Sequence, residues 1–364
     1  MDKHSKRKAV NTDNTLVAGE EIIKGKKKRT KKIILIIISV ILALLIAAAS
    51  VFFALWKIGK DKFHKNDRNI DASTEGVEVN EDTVTYDGKD YILNKNIVSV
   101  LFIGVDKENI NNNLGFGKNG QADTLFVAAV DTKTKEIKII PIRRETMTAV
   151  DVYTVDGAYS SSKVQQICLA YSYGNSSEKS CENTKLAVCR FLLGMNVSSY
   201  IAINLKGISE ITDRLGGITL NPIEKVELES GRDCSPGKDV TLYGKDAINY
   251  VQNRDEDING SVNRLERQKQ FLSVLASTAG NKIMSDFTKL RNYYGALSPY
   301  TSSDLSFSQI TYLVSSCISK NIGSSIKYNS IEGEMKMGEE WAEFIPDGDS
   351  VIKTVIDTFY IPKK

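Results

Sequence analysis

Histidine is almost missing from this chain. Only His4 and His64 occur among 364 residues, and both precede the segment that reads as a folded domain. Without a histidine there, Ser-His-Asp and Cys-His nucleophilic schemes, HExxH zinc sites and histidine phosphotransfer fall away. Cys-x-x-Cys pairs are missing too. The five cysteines (Cys168, Cys181, Cys189, Cys234, Cys317) are odd in number and scattered, so neither a zinc ribbon nor thioredoxin-like chemistry is indicated. They read as small buried apolar side chains, with one or two disulfides as the alternative. Proline is scarce at 6 residues, and there is no internal repeat.

A basic folded body is lacking as well. Residues 1–32 carry eleven Lys or Arg against four Asp or Glu, whereas the rest carries 37 basic and 41 acidic residues. A nucleic-acid binder keeps its basic excess on the folded body, so no nucleic-acid partner is expected. The chemistry that remains must run on carboxylates, arginines or a metal ion.

What is present begins with 24 uncharged residues, Ile33 to Trp56. As a helix they would extend about 36 Å, enough to cross a hydrocarbon core with some tilt. A cleaved signal peptide is the competing reading, but its apolar core would be shorter, about 7–15 residues. Lysine and arginine crowd the N-terminal flank more than the outer one, where Lys57, Lys60, Lys62, Lys65 and Arg68 lie. The expectation is a single-pass cell-membrane protein with a cytoplasmic N-terminus and an extracytoplasmic body. A tail of 32 residues is too short for a helix-turn-helix domain, so a direct regulatory role would need a partner.

The chain divides into a basic tail (1–32), a transmembrane helix (33–56), a juxtamembrane linker and hairpin (57–95) and an α/β domain (96–364) whose motifs lie within 96–275. Asp87-Gly88 between two β-rich runs signals a hairpin turn. Ile97–Val105, Leu125–Val130 and Ile137–Ile142 read as buried strands, and Tyr200–Leu205 as another. Asn183 reads as the cap of a helix ending at Gly194, Ile208–Leu215 as a helix, and Asp246–Val251 as the start of one more. Ser261 or Asn263 would cap a longer helix with Leu265, Leu272 and Leu275 on one face. Alternating strands and helices predict a central mixed β-sheet flanked by helices.

Three charged clusters are placed where chemistry could sit. Asp106 ends one predicted strand and Asp123 begins the next; together they could hold Mg²⁺ or Mn²⁺, although each could simply cap a turn. Arg143 and Arg144 follow a strand, where they could grip a phosphate or form a solvated pair with Glu145. Arg254 precedes Arg264, Arg267 and Gln268, the last three on one helical face, which is either a pocket rim or a solvated flank.

In this order the blocks resemble one family, LytR-CpsA-Psr. NIVSVLFIGVD resembles its first strand, and QADTLFVAAVDTKTKEIKIIPIRRET its RSDTM…SIPRDT region. KVQQICLAYSYG, GISEITDRLGGITL and LYGKDAINYVQNRDEDINGSVNRLERQKQF are similar to its three later segments. The resemblance implies a phosphotransferase that moves a teichoic-acid or capsule-like glycopolymer from a polyprenyl pyrophosphate carrier to a peptidoglycan hydroxyl. It implies a slot for the polyprenyl chain, a Mg²⁺ held by Asp106 and Asp123, and pyrophosphate bound by Arg143, Arg144, Arg254, Arg264, Arg267 and Gln268. Asp123, Arg144 and Arg267 are the implied catalytic residues. Gln121 and Gln252 stand where the family has arginine, and Arg143 where it has proline. A non-catalytic binder of the same lipid and a pyrophosphate hydrolase are therefore the alternative activities.

Overall fold

The computed structural model describes residues 38–63, 79–80, 82–107, 109–110, 115–253, 260–318 and 322–363. Helix α1, Ile38–Phe63, is long and apolar enough to cross a membrane, with a mean hydropathy of 2.8 over its most apolar stretch. It runs past Trp56, where the sequence suggested a linker, through Lys57, Lys60 and Lys62. The last turn is not solvated all round. The Gly59 Cα abuts the Ser308 carbonyl so closely that a Cβ would stand 2.1 Å from it, and the Phe63 ring lies tilted against Tyr312 with centres 6.1 Å apart.

Strands β1 (Val79–Asn80), β2 (Thr83–Tyr86) and β3 (Lys89–Leu93) follow. Asp87 and Gly88 both take positive φ, 50° and 68°, as the expected tight hairpin turn requires. The central sheet starts with β4 (Ile97–Val105), β5 (Ala122–Asp131) and β6 (Ile137–Ile142), which pair antiparallel in sequence order. Their near-continuous apolar runs are explained by burial of both faces. Leu125, Val127 and Ala129 point into one core cluster with Ile140 and Ile142, while Phe126, Ala128 and Val130 point into another with Ile137 and Ile139. Asp131 closes the β5–β6 turn by accepting the amides of Lys133 and Thr134 at 2.8 and 2.9 Å.

A second hairpin, β7 (Met147–Tyr153) and β8 (Tyr159–Gln166), leads to α2 (Ser177–Phe191). Ser176, not Asn183, caps this helix; Asn183 is buried in its middle and donates to the Tyr173 carbonyl at 3.0 Å. Two cap-forming residues, Asn175 and Ser176, precede the helix, and the buried Asn183 side chain instead satisfies a carbonyl of the preceding turn. Strand β9 (Ser199–Asn204) pairs parallel with β4, and α3 (Leu205–Arg214) follows at once with Asn204 as cap.

Strands β10 (Ile218–Leu220) and β11 (Val240–Leu242), then α4 (Gly244–Gln252), build a lobe with α3 around Leu215, Ile218, Leu242 and Tyr250. Helix α5 (Gly260–Ser285) serves both parts. Leu265 and Leu272 pack on the sheet, whereas Phe271, Val274 and Leu275 pack into the lobe, so Leu275 leaves the face predicted for it. Ser261 and Asn263 lie inside this helix rather than ahead of it. The chain then forms α6 (Thr288–Leu297), β12 (Thr301–Ser303), α7 (Phe307–Cys317), β13 (Ile326–Tyr328), the hairpin β14 (Gly333–Met337) and β15 (Ala342–Pro346), α8 (Gly348–Phe359) and β16 (Tyr360–Pro362).

The central sheet has the order β12-β9-β4-β5-β6-β13, mixed because β9 and β13 join parallel. Helices α2 and α8 cover one face and α5 the other. Strand β16 pairs with β3, so the last described strand completes the sheet begun by the first hairpin. All five cysteines are free thiols, four of them buried.

Candidate active site

The site grows from an irregularity in the β4–β5 ladder. Gly104 pairs with Thr124 and Val105 with Ala122, which leaves Asp123 as an extra residue on a β-bulge. Such bulges re-aim a side chain out of the alternation of the strand. Gly104 is required here, because a Cβ would meet the Thr124 Cβ at 2.9 Å. Asp106 follows the last paired residue of β4 and is exposed. Two carboxylates thus leave neighbouring strands at the same end of the sheet.

Arg144 lies just past β6, antiparallel to β5 and therefore at that end. Its guanidinium donates to Asp123 through Nη1 and to the Gln121 Oε1 through Nη2. Gln121 thereby serves as an acceptor for the arginine, where a second arginine would repel it. The Arg144 Nε lies 3.8 Å from the carboxylate of Glu145, which is only 6% exposed, and the Arg264 Nη2 is also 3.8 Å from the same oxygen. At that separation charge is balanced but no hydrogen bond is made.

Helix α5 brings in the rest. Arg264 and Gln268 are both buried and both turn toward β5 and its neighbours. Gln268 donates to the Thr124 hydroxyl at 2.9 Å and to the Val251 carbonyl at 3.0 Å, locking the helix against the bulge. Arg267 takes a different course. It pairs with Glu224 at 2.7 Å, donates to the Asn253 carbonyl and lies 6.0 Å from the Tyr250 ring centre. It therefore ties α5 to the α4 lobe rather than joining Arg144.

Arg143 also parts from its neighbour. Its guanidinium lies 5.0 Å from the Phe344 ring centre on β15, beside a cavity of about 190 Å³. The two successive arginines thus do not form one grip. Arg254 lies outside the described residues. Sequence reasoning overlooked Thr124, and it named Gln121 as a departure and Glu145 as an ion-pair partner without placing either in the site; Glu145 stands in the place of the aspartate of the SIPRDT pattern.

Cys168 touches this cluster, its thiol donating to the Gln121 Oε1 at 3.8 Å. Burial pushes that thiol up to about 11, against the pull of Arg144. It stays protonated and is a packing group, not a nucleophile.

The donor set suits a hard divalent cation. Asp106 and Asp123 offer only oxygen, and among the described residues no group of three or more His, Cys, Asp or Glu side chains forms. A cation held there would complete its shell with phosphate oxygens and water, the habit of Mg²⁺. Arg144 and Arg264 face Asp123 and Glu145 in a cluster of balanced charge.

The chain is similar to several known proteins. The polyisoprenyl-teichoic acid–peptidoglycan teichoic acid transferase TagU of Bacillus licheniformis is 29% identical over 57% of this chain, a match spanning 60% of that relative's length. TagU of Enterococcus faecalis is 26% identical over 82% of this chain and 87% of its own. The crystal structure of Bacillus subtilis TagV superposes with a TM-score of 0.59 at 22% identity, covering 72% of this chain and 96% of that one. The LytR_cpsA_psr family model matches residues 58–356, nearly the whole body beyond the apolar stretch, and the chain belongs to the LytR-CpsA-Psr family.

Proposed function

We propose that the protein transfers a phosphate-linked glycopolymer from a polyprenyl pyrophosphate carrier to a hydroxyl of peptidoglycan outside the membrane. The observation that carries this reading is the Asp123–Arg144–Glu145–Arg264 cluster at the end of the sheet, next to Asp106. The names of the relatives support the class of donor and acceptor.

The acceptor oxygen attacks the phosphorus nearest the glycan. A new P–O bond forms, the bond to the bridging oxygen breaks, and polyprenyl phosphate leaves with the electron pair. The hydroxyl proton passes to Asp123 or Asp106. Arg144 and Arg264 supply positive charge where phosphoryl and bridging oxygens gain negative charge, which is the main source of rate in such transfers. Glu145 and Gln121 orient Arg144, and Gln268 fixes α5 beside the bulge. A Mg²⁺ held by Asp106 and Asp123, when bound, would add charge that offsets both carboxylates and frees Arg144 for phosphate. Helix α1 would anchor the body, with the N-terminus cytoplasmic.

The test uses the full chain in detergent with lipid-pyrophosphate-linked glycan, peptidoglycan oligomers and either Mg²⁺ or EDTA, scored by mass spectrometry. A phosphodiester product that vanishes in Arg144→Met supports the transferase. Undiminished product in Arg144→Met would sink it. A second reading, a lipid-binding protein without turnover, rests on Gln121 and Gln252 replacing family arginines. It predicts lipid binding with no product under conditions where a TagU control is active.

A further inference from the structure

The cavity beside Arg143 has no role in that mechanism. It lies between the end of β6, helix α5 and the β14–β15 hairpin, and its wall includes Arg143, Thr146, Lys269, Ser330, Glu332 and Phe344. Its volume, about 190 Å³, far exceeds what a single water needs. Two polar groups in this wall lack any hydrogen-bond partner among the described residues: the Arg143 Nη1 and the Thr146 hydroxyl. Thr146 is fully buried, and leaving such groups unpaired is costly. A third group, the Lys269 ammonium, is partly spent on Glu266 at 2.7 Å and Ser330 at 3.1 Å. Phe344 supports the flat guanidinium from behind.

A slot for a polyprenyl tail would be lined by hydrocarbon alone; this one sets a guanidinium, an ammonium and hydroxyls, with the Glu266 and Glu332 carboxylates, among apolar side chains. Three unspent or partly spent donors around one space match an oxyanion, and a tetrahedral one uses three donors better than a planar carboxylate does. Arg143 stands where the family pattern has proline, so this donor is not one the pattern supplies. We infer that Arg143, Thr146 and Lys269 form a second phosphate-binding subsite, separate from the Arg144 cluster. Its ligand is a phosphate group, either the free ion or one carried on a polyol chain. The subsite stands whether or not the transferase reading does; only the link to a polyol phosphate polymer rests on it.

Isothermal titration of the full chain in detergent, at matched ionic strength, would use inorganic phosphate, glycerol 3-phosphate and acetate as probes. Saturable phosphate binding should weaken about tenfold or more in Arg143→Met, which keeps the apolar stem over Phe344 but removes the charge. It should weaken about threefold to tenfold in the near-isosteric Thr146→Val. Glu332→Gln, which removes an opposing charge from the rim, should tighten it. In an Arg144→Met background, where the other cluster can no longer hold phosphate, binding should persist and should keep its dependence on Arg143. Tighter binding of glycerol 3-phosphate assigns the subsite to a polyol phosphate, and tighter binding of phosphate to the free ion. The inference is overturned if no saturable binding occurs, if acetate binds as well as phosphate, or if binding survives Arg143→Met and is lost in Arg144→Met.

Discussion

The sheet end and the α3–α4 lobe each hold an arginine against a carboxylate, but the two regions use the pair differently. In the lobe, Asp246 is buried and accepts the Ser230 amide at 3.1 Å, the Ser230 hydroxyl at 2.7 Å and Arg232. Arg232 also donates to the Thr241 carbonyl at 2.7 Å and lies 5.7 Å from the Tyr243 ring centre. Nearly every donor and acceptor there is used. At the sheet end, Glu145 balances Arg144 and Arg264 from 3.8 Å without bonding to either. The lobe pair is a finished joint. The sheet-end cluster holds Arg144 on Asp123 and Gln121 but leaves Glu145 at 3.8 Å from both arginines, a contact that a phosphate oxygen could replace.

Substitutions should separate the two. The largest effect is expected from Arg144→Met, where transfer falls about 10²–10³-fold while the melting temperature hardly moves. A large drop in melting temperature would make Arg144 a joint as well and erase the contrast. Asp246→Asn should do the reverse, costing about 2 kcal/mol by chemical denaturation with transfer per folded molecule retained. The same pair gives a pH signature. Burial alone would raise the Asp246 carboxyl, yet the Arg232 and Ser230 bonds hold it below the usual value. A depressed carboxylate stabilises the fold above its unfolded pKa of about 3.9 and loses that contribution as pH falls through the folded value. The stability gap between wild type and Asp246→Asn should therefore close under acid; a gap constant with pH would contradict this. The smallest effect is expected from Gln121→Arg, which replaces the acceptor of Arg144 by a second cation. Phosphate-dependent turnover should rise a few-fold, at a modest cost in melting temperature without substrate. No gain would mean that Gln121 is not what limits this site.

The sheet was legible because its signals are local. Ile97–Val105 and Ile137–Ile142 are mostly apolar runs, interrupted only by Ser99 and Lys138, and both are strands with those bounds. Asp87-Gly88 announced its hairpin because few other pairs tolerate two positive φ angles. The family blocks marked Asp123, Arg144, Arg264 and Gln268, and these four side chains do converge on the β5 bulge. What sequence could not supply was direction. Arg143 and Arg144 are neighbours in the chain but project to different partners, and helical spacing did not tell that Arg267 turns to Glu224. Pairings across long separations, such as β13 with β6, leave no local trace at all.

The pairing of β16 with β3 bears on how the chain comes to fold. Strands β1 to β3 alone are a small ribbon with modest burial, marginal in water until another strand joins. That strand is Tyr360–Pro362, paired with residues 91–93, and Lys363 adds a bond to the Asp90 carbonyl at 2.9 Å. Joining points so far apart costs about 5 kcal/mol of chain entropy, which packing of the intervening residues must already have offset. During synthesis the hairpin emerges early and waits for the final segment, so this ribbon should be the last part to lock and the first to exchange its amides.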